Sequence, residues 1–177
     1  MAHARLGILG LVLTLVALMT GGCGQQKSSA ATNVESVMID GEWFHLELAL
    51  DPASRFQGLS GRTHIDEDGG MLFVFPRPAV QAFVMRDCPI PIDIIFLDPA
   101  GRIVAMHQMT VEEPRREDEP ETGNGATDKY EQRLKRYPSK FAAQFVIELA
   151  GGTLDDLEIA EGDLIKLDTE GLKARAK

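Results

Sequence analysis

The 177 residues carry 18 Lys+Arg against 27 Asp+Glu, a net charge of −9, with 44% hydrophobic and 25% charged residues. These proportions belong to an ordinary globular chain and exclude wholesale disorder and a polytopic membrane protein, while the length suits one core rather than two. So acidic a balance also argues against a nucleic-acid partner, which needs a basic face to displace counterions from phosphates.

Residues 1–22 read as a secretory signal peptide. Arg5 supplies the positive start, Leu6–Met19 runs without a charge, and Thr20-Gly21-Gly22 is a small-residue exit. The apolar run is shorter than the roughly 20 residues of a bilayer span; an uncleaved anchor helix is the alternative. The exit into Cys23 resembles a bacterial lipoprotein lipobox, with Thr20 where Leu is usual. That resemblance implies an acylated Cys23 at the mature N-terminus, with membrane lipid as its partner. Cleavage after Gly22 or near Ala31, giving a free soluble protein, is the rival. Residues 23–33 are small and polar, as a flexible tether is. The expected location is the cell envelope, lipid-anchored and facing the periplasm or exterior. Acylation of Cys23 leaves Cys88 single and no internal disulfide; a Cys23–Cys88 bridge is the alternative.

One β domain is expected over 34–168. Val34–Ile39 and Glu42–Leu50 flank Asp40-Gly41, a strong hairpin signal. In the second run Phe44, Leu46, Leu48 and Leu50 share one face by strand alternation and form its core side. Asp51-Pro52 opens a short helix that stops near Gly58. A loop, Ser60–Gly70, follows. Met71–Phe75, Val80–Met85 and Ile92–Asp98 read as three strands, and Pro99-Ala100-Gly101 turns the chain into Arg102–Met109. Val111–Arg136 holds eight acids and six bases, too many charges to bury a core. It is expected as a solvated insertion, with a short helix over Thr127–Arg136, that can be shortened at little cost. Ala143–Leu149 reads as a later strand, Leu154–Ala160 as a helical turn, Leu164–Leu167 as a last strand, and 169–177 as a C-terminal tail. Together these give a mainly β fold, a compact antiparallel sandwich or barrel with one or two short helices.

Four segments carry a resemblance to the domain-of-unknown-function 192 family. They are Gly58-Leu59 with Arg62; Gly70–Phe75; Phe83–Arg86 running into Pro91–Asp98; and Tyr137-Pro138-Ser139 with Glu148–Gly152 and Gly162-Asp163. The resemblance covers about 34–168. It implies a compact, mostly β domain, often exported or lipid-anchored, with no established activity. This chain departs from the family pattern at Ser60-Gly61, at Val84, at Arg86-Asp87 and in the enlarged insertion.

No sequence motif of a nucleotide site, a nucleophile elbow or a metal site is present, so no catalytic residue, cofactor or metal is expected. The ligand-binding candidates are Arg62, Asp68, Met85, Arg86, Asp93 and Tyr137. Alternation in Ile92–Asp98 puts Asp93 beside Ile95 and Leu97, where a carboxylate needs a partner. The backbone of Arg86–Cys88 or an Arg is expected to supply it and to lower its pKa. Arg62 with Asp66, Glu67 and Asp68 reads as a solvated acidic turn with a salt bridge. The functional expectation is a binding or accessory module whose partner is a small molecule or an envelope protein. The alternatives are a small hydrolase or isomerase using Asp93 with Arg62 or Arg86, and a protein that docks through 111–136.

Overall fold

A computed structural model describes Met1 and residues 33–122 and 127–177. Residues 2–32 lie outside it, and with them the expected signal peptide, Cys23 and most of the tether. Within Ala31–Lys177 the chain forms β1 (Val34–Ile39), β2 (Glu42–Ala49), α1 (Pro52–Gln57), β3 (Gly69–Phe83), β4 (Ile92–Leu97), β5 (Ile103–Met109), α2 (Lys129–Arg133), β6 (Tyr137–Ala150), α3 (Thr153–Asp156) and α4 (Thr169–Arg175). Among the described residues no helix is long and apolar enough to cross a membrane.

The strands make one mixed sheet in the order β1-β2-β3-β6-β4-β5. The expected hairpin forms with Val34 opposite Glu47, and both turn residues, Asp40 and Gly41, take positive φ. That turn matches the right-handed twist of the strands. Phe44, Leu46 and Leu48 are buried, as alternation requires. The wholly antiparallel expectation is corrected at β2 and β3, which run parallel. Parallel neighbours need a crossover, and α1 with the following loop provides it. The sheet is not a closed barrel, because β1 and β5 remain its edges.

Two expected strands, Met71–Phe75 and Val80–Met85, are one long strand. Pro76 and Pro78 have no N–H for the ladder, and the register with β6 shifts there. The Gln144 amide spans the defect, donating to the carbonyls of Phe75 (3.1 Å) and Pro76 (3.3 Å). The expected strand at Leu164–Leu167 reduces to a single bridge between Arg102 and Leu164. The segment read as a tail is α4, capped by Asp168 and anchored by Leu172 in the core.

Both faces of the sheet are packed. One carries Leu46, Leu72, Ile95, Ile147 and Leu172; the other carries Phe73, Met85, Ile94, Phe96 and Val146. Every residue of β4 is therefore buried. The insertion is not simply solvated. Glu119, Asp128 and Glu131 are buried, with Tyr130 and Leu134 beside them. Arg115 pairs with Asp128 (2.9 Å) and Arg133 with Glu119 (2.7 Å), and both guanidiniums lie over the Tyr130 ring. Opposite charges placed this way satisfy one another, so a segment rich in them can still pack.

Candidate functional site

The candidate site lies on the second face, where α1 ends above the middle of the sheet. Asp51 caps α1 by accepting from the N–H groups of Ala53 and Ser54, and Gly58 closes it with φ +51. A side chain at Gly58 would crowd Phe73 at 3.4 Å and approach Glu148 Oε2 at 3.9 Å, so glycine lets the chain pass close over the sheet. The next residues are stitched to the loop after β3. Ser60 Oγ donates to the Arg86 carbonyl (2.8 Å), and Gly61 N–H donates to that of Asp87 (2.7 Å). From the other side the Tyr130 hydroxyl accepts the Asp87 N–H (2.8 Å). Two segments distant in sequence, the turn after α1 and α2, thus hold the loop that carries Arg86.

A cavity of about 330 Å³ opens between them. Phe56, Phe73, Phe75 and Phe83 wall it, while Arg86, Cys88, Glu131 and Glu148 supply polar groups. The Arg86 guanidinium lies 3.8 Å over the Phe56 ring, donates to Glu131 (3.0 Å) and also bonds the Phe56 carbonyl. Glu148 stands on β6 between Met71 of β3 and Ile94 of β4. Its Oε2 is buried with no hydrogen-bond partner. Burial raises its carboxyl to about 8, against the pull of Arg86, so the group is neutral at pH 7. Burial and the nearby Glu148 raise the Cys88 thiol to about 12. Reactive cysteines have the opposite shift.

The sequence candidates fall in different places. Arg86 lines the cavity. Met85 is packed in the core, and the buried Tyr137 uses its hydroxyl to accept the Thr110 N–H (3.3 Å). Arg62 grips Glu47 with two bonds of 2.6 and 2.7 Å rather than the acidic turn, beside a smaller cavity of about 130 Å³. Asp68 faces His45 at 3.9 Å in an exposed pair. Asp93 is buried beside Ile95 as expected, but its partners differ. Its Oδ2 accepts the N–H groups of Gly152 (3.0 Å) and Leu154 (2.7 Å) around the start of α3. Burial raises its pKa, outweighing those two bonds, so the expected lowering is corrected. Asp93 lines neither cavity. Glu148 was missed, although one acid inside the apolar run Phe145–Ala150 marks a buried carboxyl once β6 is recognised as a central strand.

Comparison with known proteins gives a family and two structures. The family model described as DUF192, "Uncharacterized ACR, COG1430", matches residues 35–167. The chain is similar to a candidate transcription regulator from Sinorhizobium meliloti 1021, at 26% identity and TM-score 0.57, over 74% of this chain and 89% of that one. It is also similar to a protein of unknown function from Novosphingobium aromaticivorans DSM 12444, at 27% identity and TM-score 0.60, over 76% and 85% of the two chains. Among curated proteins none matches.

Proposed function

The chain belongs to the DUF192 family, and we propose that it is a lipid-anchored envelope protein that acts as a small-molecule binding module, its ligand seated beside Glu148. One observation carries the binding role: a buried carboxyl without a hydrogen-bond partner borders a cavity of ligand size. Leaving a buried polar atom unpaired costs about 1–3 kcal/mol, and functional sites are where such costs persist. Aromatic walls with a few convergent polar groups are the usual make-up of small-molecule sites. The anchoring rests on Leu6–Met19 and Gly21-Gly22-Cys23.

The rival readings have less support. The Asp93 carboxylate is occupied by two backbone N–H groups, which suits a structural acid better than a general base. Many insertion charges are paired with each other, which leaves fewer for a partner. Two experiments test the proposal. Mass spectrometry of the membrane fraction should find acylated Cys23 at the N-terminus; a soluble form beginning beyond Cys23 would remove the anchor. A thermal-shift screen of small metabolites on the full-length chain should give hits that disappear in Val84→Trp, which puts an indole at a position lining the cavity. Hits that persist in that variant would remove the binding site from this cavity.

A further inference from the structure

We infer that the cavity beside Glu148 selects a small monocarboxylate with an apolar body, held between the Glu148 carboxyl and the Arg136 guanidinium. This rests on the binding role proposed above and specifies its ligand. The first argument is charge. In an acidic chain this cavity is rich in basic groups, bordered by Arg55, Arg86 and Arg136, with Glu131 and Glu148 as its two acidic residues. Two of the three guanidiniums are engaged. Arg86 holds Glu131, and Arg55 bonds the carbonyls of Val74 (2.9 Å) and Lys177 (2.7 Å). Arg136 is exposed at the rim and has no hydrogen-bond or ion-pair partner among the described residues. It is the cation left for a ligand, and a guanidinium matches a carboxylate with two parallel bonds.

The second argument is the proton. A neutral Glu148 can donate its O–H to a ligand carboxylate, a short charge-assisted bond. The titratable and charged groups that line the cavity with it are Arg55 from α1, Arg86 and Cys88 from the loop after β3, Glu131 from α2 and Arg136 just before β6; Met71 and Ile94 on the neighbouring strands carry no charge. Of these, the Cys88 thiol lies at about 12, well above the window from pH 7 to 9. The third argument is the wall. Phe73 and Phe83 stack edge to face with centroids 5.0 Å apart, a surface that takes an apolar ring or chain and offers nothing to a fully hydrated phosphate. Aromatic walls also suit an organic cation, but here three guanidiniums oppose it.

The test uses calorimetry on the full-length chain with three probes of one shape: phenylacetate, 2-phenylethanol and 2-phenylethylammonium. Phenylacetate should bind about tenfold or more tightly than the alcohol, and the ammonium should bind weakest. Its affinity should fall about tenfold from pH 7 to pH 9, following the protonated fraction of a group at about 8. Glu148→Gln should abolish that pH dependence, and Arg136→Ala, at an exposed position, should weaken phenylacetate about tenfold. Urea melts establish that each variant is folded. Equal or tighter binding of the alcohol or ammonium, abolished by Val84→Trp, would overturn the carboxylate assignment and leave the cavity as a binding site. Failure of all three probes, or binding that survives Val84→Trp, would overturn both. Wild-type affinity and pH profile in Glu148→Gln and Arg136→Ala would overturn the assignment of these two residues.

Discussion

Glu148→Gln should convert a pH-sensitive fold into a flatter one. In the native protein the carboxyl ionises at about 8, and its ordinary value is 4.5. Between these values the native state keeps a proton that the unfolded chain has released. Stability is therefore fully present below about pH 4.5 and declines as pH rises through about 8. Each unit of pH in that window withdraws about 1.4 kcal/mol, so about 3 kcal/mol is lost by pH 7 and about 5 kcal/mol above pH 9. The Gln amide keeps the shape and cannot ionise, but its N–H groups lack partners, at a cost of about 1–2 kcal/mol. The stability curves should cross, with the wild type ahead at pH 5 and the variant ahead by about 3 kcal/mol at pH 8.5. Urea denaturation at fixed pH steps measures this directly, with a constant m-value as the check on two-state behaviour. Titrations elsewhere are common to both proteins and cancel in the difference. Parallel curves from pH 5 to 9 would refute the argument, because they would mean that Glu148 ionises alike in folded and unfolded chains.

Asp93→Ala should destabilise by about 2–4 kcal/mol, since it strands the N–H groups of Gly152 and Leu154. Asp93→Asn retains an acceptor oxygen and should cost about 1 kcal/mol or less in the same urea assay; equal losses would show that the two N–H bonds are not what Asp93 contributes. Deleting Arg116–Ala126 removes Glu119, the partner of Arg133, and should speed amide exchange across α2 while leaving the central strands protected. Unchanged exchange at Tyr130 would return the insertion to a solvated loop. Arg133 holds the Glu119 carboxyl down at about 2, so the order of α2 should persist above pH 4.5 and be lost as pH falls toward about 2. Cys88 should resist alkylation at pH 8 until denaturant is added, because its thiol ionises at about 12; rapid labelling of the folded protein would contradict that.

What the linear chain determines here is local. Asp40-Gly41 between two alternating runs sets the first hairpin and its register, because both turn residues must take positive φ and few residues do so cheaply. Asp51-Pro52 starts α1 and Gly58 ends it, since capping uses neighbours in the chain. The same logic places Asp93 on an apolar face, but alternation reports a side chain's face and not its partner. Gly152 and Leu154 lie about 60 residues further on, and only folding brings them to its carboxyl. The parallel pairing of β2 with β3 depends on where α1 delivers the chain, which no periodicity records. The bend at Pro76 survives inside β3 because Gln144, on another strand, covers its carbonyls. The insertion packs because Glu119, Asp128 and Glu131 each meet a guanidinium, and composition counts charges without showing which ones meet. Glu148 becomes a candidate only when β3 and β4 flank it and the turn at Gly58 passes above it. Its missing partner and raised pKa are properties of that enclosure, because desolvation is set by everything around a group rather than by its neighbours in sequence.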